Sequence, residues 1–330
     1  MEALIKKLVE AYGPSGFEGQ MRMLIRPEIE SLADEISVDA MGNLIALKKG
    51  DGSGLKVLVA AHMDEIGVMV THITKEGFLR FTNIGGVFPH TLLGNRVQFG
   101  DGTIGVIYSE RLEERDSVNP LEKHYIDIGA TSKEDCHIEV GAAAGFVRPF
   151  QVQGGRYTAK TMDDRIGCVV IIEAFKRLAA TSHDVYFVFS VQEEVGTRGA
   201  EVAANAINPD VGIAVDITPA GDVPHSQHTP IALGKGPAIK VKDSGMIAHH
   251  GLVKLMKRRA EEADIAYQLE VLERGSTDAR AMQVSNAGTA AGCISVVCRY
   301  AHSQSETVDA GDVEGAIQLL VEILSKPIEL

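Results

Sequence analysis

The sequence predicts an α/β fold split by a small β-rich insertion, and three observations carry that expectation. Short apolar runs such as 55–61 (LKVLVAA) and 186–192 (YFVFSVQ) alternate with longer amphipathic stretches in residues 1–65 and again in 153–330. Between these parts, residues 66–152 carry short alternating segments punctuated by Gly85-Gly86, Gly94, Gly100, Gly102 and Gly105, the texture of a small β-barrel. At 330 residues the chain suits two domains, or one interrupted by an insertion.

Taken in order, residues 1–12 read as a surface helix stopped by the turn Gly13-Pro14-Ser15-Gly16, and a second helix is expected over 18–33. Two strands meet at Met41-Gly42-Asn43, a turn covers 50–54, and the buried strand 55–61 ends in His62-Met63-Asp64-Glu65. Inside the insertion the polar segment 109–123 reads as an exposed loop. After Gly154-Gly155 come a helix over 165–180, the strand 186–192, a helix from Arg198 and a strand over 211–217. A helix over 247–263, a strand over 265–272, a helix over 277–286, a strand over 291–298 and a helix over 309–324 complete the pattern.

The 45% hydrophobic and 23% charged content fits a globular protein. A net charge of −13 without a long basic run argues against nucleic acid or an anionic membrane as partner. No apolar run approaches a membrane span, and the first residues form an amphipathic helix rather than a signal peptide. Cys136, Cys168, Cys293 and Cys298 form no C-x-x-C pair and sit mostly in apolar runs, so free thiols in a reducing cytoplasm are expected. No H-E-x-x-H, G-x-S-x-G or G-x-G-x-x-G occurs.

Polar residues recur at the edges of the apolar segments. His62 and Asp64 follow one strand, Asp163 and Asp164 precede a helix, and Glu193 and Glu194 follow the next strand. Asp216 ends VGIAV, and His302 follows ISVVCRYA. Each has an ordinary alternative: a core histidine, a helix N-cap, an exposed strand end, a turn, a loop histidine. Together they make a set of oxygen ligands and imidazoles suited to zinc, cobalt or manganese, and a carboxylate can bridge two such ions.

The ordered segments AHMDEIG (61–67), TMDDRIGC (161–168), VQEEVGTRGA (191–200), AVDITPAGD (214–222), GSTDARA (275–281) and RYAHSQSE (299–306), with IDIGA (126–130), resemble the tetrahedral dinuclear metallo-aminopeptidases, which include glutamyl and deblocking aminopeptidases. The resemblance spans nearly the whole chain. It implies an α/β/α sandwich with a mixed sheet over 1–65 and 153–330, and an inserted β-barrel over 66–152 concerned with oligomerisation and substrate access. It also implies a homododecamer acting on short peptides with two divalent metal ions per subunit. Carried over by position, His62, Asp163 and Asp216 would hold one ion, and Asp163, Glu194 and His302 the other. Glu193 would be the general base and Asp64 the partner of His62.

Physical chemistry agrees with those roles. If the strand continues through His62, Asp64 two residues on shares its face and can fix the imidazole tautomer. One of the adjacent glutamates can bind a cation while the other takes a proton from an acidified water. The chain departs from the family pattern at Thr197, where leucine is common, at Arg280, where many relatives carry a small residue, and at Gln304-Ser305 in place of Pro-Val. Arg280 is read either as a structural salt-bridge partner or as a lining of the substrate pocket. A metal-dependent deacylase or amidohydrolase would share the same site. An endoglucanase would need paired carboxyls without metal, would leave both histidines idle, and would usually stack its sugar on tryptophan, which this chain lacks.

Overall fold

A computed structural model describes residues 1–111, 117–224 and 230–330. The chain opens with α1 (Glu2–Val9) and α2 (Gly19–Ile29), then β1 (Glu35–Val38), β2 (Leu44–Lys48) and β3 (Lys56–His62). The barrel strands are β4 (Gly67–Ile73), β5 (Leu79–Ile84), β6 (Arg96–Phe99), β7 (Ile104–Ser109), β8 (His124–Asp127) and β9 (Ala143–Phe146). Then come β10 (Gln151–Gln153), β11 (Arg156–Ala159), α3 (Met162–Arg177), β12 (Asp184–Ser190), α4 (Arg198–Ile207) and β13 (Val211–Pro219). The last part holds β14 (Ala238–Lys242), α5 (His250–Glu262), β15 (Gln268–Val271), α6 (Asp278–Gln283), β16 (Ala290–Arg299), β17 (Glu306–Asp309) and α7 (Ala310–Leu324).

Eleven strands form one mixed sheet in the order β1-β2-β12-β3-β13-β16-β17-β11-β10, with β14 and β15 branching from β16. β12, β3, β13 and β16 run parallel at its centre and are almost wholly buried, as expected of strands covered on both faces. Helices α3 and α7, backed by α1, α2 and α5, cover one face, and α4 and α6 cover the other. The stacked rings of Phe175 and Phe187, with centroids 4.3 Å apart, join α3 to β12. The α/β/α architecture expected from the sequence is present.

β4-β5-β8-β7-β6-β9 close into a six-stranded antiparallel barrel around Val68, Phe81, Val97, Phe99, Ile107 and Ile126. Its two ends are neighbours, because Gly67 pairs in register with Gly145. β10 straddles the expected domain boundary and pairs with β11 in the large sheet. The expected loop 109–123 is in part the end of β7 and a 3₁₀ turn at Leu121–Lys123, and its residues 112–116 lie outside the described ones.

Several expectations shift. The helix expected over 165–180 ends at Arg177, and Asp163 and Asp164 at its start have non-helical backbone angles. β12 stops at Ser190 because Gln192 turns to φ 56°, short of the expected end at 192. The strands Arg156–Ala159, Ala238–Lys242 and Glu306–Asp309 were not expected. All four cysteines are free, three of them buried and Cys136 half-buried.

Candidate metal centre

Parallel sheets place chemistry beyond the C-terminal ends of their strands, and this one does so at four strands. β3 ends on His62, the chain after β12 supplies Glu193 and Glu194, β13 carries Asp216, and the turn after β16 supplies His302. The β3–β13 pairing stops at Ala60 and Ala214, so beyond it the two strands part and leave His62 and Asp216 facing an opening. Left-handed backbone at Thr161, Gln192, Thr197, Tyr300 and His302 turns the chain sharply next to these residues.

Asp163 lies between the imidazoles, with Oδ1 3.1 Å from His62 Nε2 and Oδ2 3.2 Å from His302 Nε2. Glu194 Oε2 is 3.7 Å from His302 Nε2, and Glu193 Oε2 is 3.9 Å from His62 Nε2. Ligand atoms of His62, Asp163 and Glu194 fall within 4.8 Å of one another, as do those of His62, Asp164 and Asp216. Asp164 was not among the expected ligands. Its Oδ2 accepts the His62 backbone N–H at 3.2 Å and its Oδ1 that of Gly167 at 3.1 Å. A Cβ on Gly167 would lie 2.2 Å from that carboxylate, so the glycine makes room for it.

Asp64 does more than sequence reasoning gave it, and by a different route. It lies past the end of β3, not on the strand, and its Oδ1 is 3.5 Å from His62 Nδ1 while its backbone oxygen is 3.1 Å from the same nitrogen. The same carboxylate accepts the backbone N–H groups of Glu193 at 3.0 Å and Glu194 at 3.2 Å, and the Ser15 hydroxyl at 2.6 Å. One buried side chain therefore orients a histidine and the whole glutamate pair. Glu306, unassigned in the sequence reading although it closes RYAHSQSE, has a parallel task. It accepts the His302 N–H at 2.7 Å and the Asp163 N–H at 2.9 Å. The barrel contributes the Gly86 carbonyl, 2.9 Å from His302 Nδ1. Asp278 on α6 accepts the Ser190 hydroxyl, and Ser190 is the register partner of His62.

The electrostatics describe more carboxylates than the two imidazoles can neutralise. Burial, reinforced by Asp163, pushes Asp216 well above the usual range, and burial with Asp216 and Asp278 nearby does the same to Glu193. Glu194 is pushed up to about 7 by burial, against the pull of His302. Burial opposes the charge on both imidazoles, yet their carboxylates win: Asp163 and Asp64 hold His62 well above its usual value, and Glu194 and Asp163 hold His302 at about 11. Burial would raise Asp163, but the two histidines hold it low. Glu194 Oε1 is buried with no hydrogen-bond partner among the described residues. A donor set of two imidazole Nε2 atoms and several hard oxygens, one of them unsatisfied, fits divalent cations.

Asp163, Glu193, Glu194, Asp216 and His302 open onto a cleft of about 390 Å³ lined also by Thr197, Lys240, Ser276, Thr277, Arg274 and Arg280. Arg280 makes no ion pair among the described residues, so its structural salt bridge is absent and it lines the cleft.

A buried cation-binding set at the open edge of a parallel sheet, beside an inserted barrel, defines the class of α/β proteins with a candidate metal centre facing a substrate-sized cleft. The chain belongs to the M42 glutamyl aminopeptidase family, whose model matches residues 42–319. A putative aminopeptidase of Acetivibrio thermocellus is 46% identical over 97% of both chains. An aminopeptidase of Desulfurococcus kamchatkensis superimposes with a TM-score of 0.95 at 40% identity, covering 98% of this chain and 94% of its own. The TET1 peptidase of Pyrococcus horikoshii, which can assemble into a tetrahedron or a large octahedral shell, gives 0.90 at 35% identity over 98% of this chain and 99% of its own.

Proposed function

We propose that this protein is a metal-dependent aminopeptidase that removes N-terminal residues from short peptides. The observation that carries the reading is Asp163 set between two imidazoles, with the Glu193 carboxylate beside His62 and holding no hydrogen bond among the described residues. His62, Asp163 and Asp216 are assigned to one divalent ion, and Asp163, Glu194 and His302 to a second. Asp163 is preferred over Asp164 as the shared ligand because both Asp164 oxygens are taken by backbone N–H groups. Zinc, cobalt and manganese all suit this donor set.

Bound ions would polarise the scissile carbonyl and acidify a water molecule. The Glu193 carboxylate, beside His62, would take a proton from the attacking water and return it to the leaving amine. Asp64 holds His62 in the tautomer that presents Nε2 to the cleft and fixes the backbone of Glu193.

The likeness to the P. horikoshii TET1 peptidase supports a homo-oligomer, with a dodecamer as the specific proposal and residues 66–152 as the part governing assembly and access. No described helix is long and apolar enough to cross a membrane, and the three buried free thiols support a cytoplasmic setting. Hydrolysis of aminoacyl-anilides beside N-acetylated controls, before and after chelation and with zinc, cobalt or manganese restored, tests the reading. Cleavage of free but not acetylated substrates, lost on chelation and regained with metal, is expected. Activity surviving complete metal removal, or confined to blocked substrates, would refute it.

A further inference from the structure

We propose that Ser15, in the turn between α1 and α2, is a positioning residue of the metal centre that acts through Asp64. The inference rests on the metal-dependent reading above and goes beyond it by making the N-terminal segment part of the machinery. Asp64 is wholly buried, and no lysine or arginine pairs with it among the described residues. Its carboxylate faces His62 and accepts three hydrogen bonds, from the backbone N–H groups of Glu193 and Glu194 and from the Ser15 hydroxyl. The hydroxyl makes the shortest of these contacts, 2.6 Å to Oδ2. The two N–H groups belong to the very loop that Asp64 orients, so they cannot fix the carboxylate from outside. Ser15 comes from a segment that supplies no ligand, and it can.

An anchor is only as firm as its own support, and Ser15 is held on both sides. Pro14 and Glu65 form a short parallel bridge, in which the Glu65 N–H donates to the Gly13 carbonyl at 3.1 Å and the Ser15 N–H to the Glu65 carbonyl at 3.3 Å. The Glu65 carboxylate in turn accepts the Gly13 N–H at 2.9 Å and lies 2.6 Å from Lys160 Nζ. Arg165, wholly buried, donates to the carbonyls of Met63 at 2.6 Å and Leu8 at 2.7 Å, so one guanidinium clamps the end of α1 to the loop that carries Asp64. Past the turn, Glu18 Oε1 accepts the N–H groups of Gly16 at 2.7 Å and Gln192 at 3.2 Å. Residues 13–18 are thereby tied to both loops of the centre, 62–65 and 192–194. A group that must hold another in place needs this kind of rigid backing.

Without the hydroxyl, the buried carboxylate loses its one independent donor and can turn about its Cβ–Cγ bond to seek another. Such a turn takes Oδ1 away from His62 Nδ1 and from the Glu193 N–H in one movement, because both meet that same oxygen. Metal affinity and turnover therefore fall together. Substrate binding does not follow them, since Ser15 is not among the residues that line the cleft.

The test compares Ser15→Ala with the unaltered protein in three ways: zinc competition against a chromogenic chelator, the visible spectrum of the cobalt-loaded form, and kcat and KM on an aminoacyl-anilide. We expect zinc affinity to fall by about 10- to 100-fold, the cobalt bands to shift, and kcat to drop about tenfold with KM held within about twofold. A cycle with Asp64→Ala reads the coupling: in that background Ser15→Ala should change neither zinc affinity nor kcat by more than about twofold. Ser15→Cys, of similar shape and with a weaker donor, should fall between, and it gives the same reading should the alanine variant fail to fold. Tyr12→Phe removes a neighbouring hydroxyl that reaches the Ala143 carbonyl of the barrel at 3.1 Å, and it should leave affinity and spectrum unmoved. Unchanged zinc affinity in the Ser15 variants, or an equal loss with Asp64 already removed, would overturn the positioning role and leave the metal-dependent reading intact. An unaltered protein that takes up neither zinc nor cobalt would overturn both.

Discussion

Glu193 and Glu194 adjoin in sequence and part in function because Asp64 takes both of their N–H groups while one carboxylate turns to His62 and the other to His302. Glu193→Gln should therefore keep its metal content and lose about 10²- to 10⁴-fold in kcat, the usual worth of a positioned general base. Elemental analysis alongside the rate checks this; lost metal with unchanged activity per ion would make Glu193 a ligand instead. The protonation states give a second expectation. The metal-free fold holds a proton on Glu194 up to about pH 7 and on His302 up to about pH 11, above their ordinary values of 4.5 and 6.5. A fold that binds more protons than the unfolded chain loses stability as pH rises through both windows. The melting temperature of chelated protein should thus fall from pH 5 to pH 8, and metal loading near pH 7 should release protons. Calorimetric titration in buffers of differing ionisation enthalpy reads that release directly, and a buffer-independent heat would contradict it.

At the level of elements, the strands that carry ligands were legible because burial on both faces writes them as continuous apolar runs. β14 was not, since AIKVK places Lys240 where an exposed residue would be expected, and only the fold shows it buried against Glu270. Lys240→Met should destabilise the protein by about 3–5 kcal/mol in urea unfolding by leaving buried Glu270 charged with the Thr218 hydroxyl as its hydrogen-bond donor and no counter-charge, and adding Glu270→Leu should recover most of that loss. The ligand positions were legible as types at strand ends, with their division of labour taken from the family pattern. Glu306 and Asp164 were not singled out as supports, because a carboxylate that accepts backbone N–H groups from distant segments leaves no trace in local spacing. Glu306→Gln replaces one acceptor oxygen with a donor facing an N–H. It should weaken metal binding by about 10- to 100-fold with little change in melting temperature of the loaded protein, measured by competition with a chromogenic chelator.

For the whole molecule, the family membership makes assembly the quantity to measure first. Light scattering of the native protein should give a mass near twelve copies of the 35.4 kDa chain, and a monomer or dimer as the only active species would overturn the dodecamer. The insertion was visible as a change of texture, but its closure into a barrel and its reach back to His302 through Gly86 were not. The register pairing of Gly67 with Gly145 has a consequence for how such a protein can change over generations. Since the barrel leaves and rejoins the sheet at one point, its strands and loops can lengthen, shorten or be exchanged without moving the ends they hang from. The barrel meets the chemistry through the segment at Gly85 to Phe88, where the Gly86 carbonyl and the Phe88 ring lie against His302 and Gly85 packs on Glu194, so the lineage is free to remodel the strands away from that segment as long as it is kept.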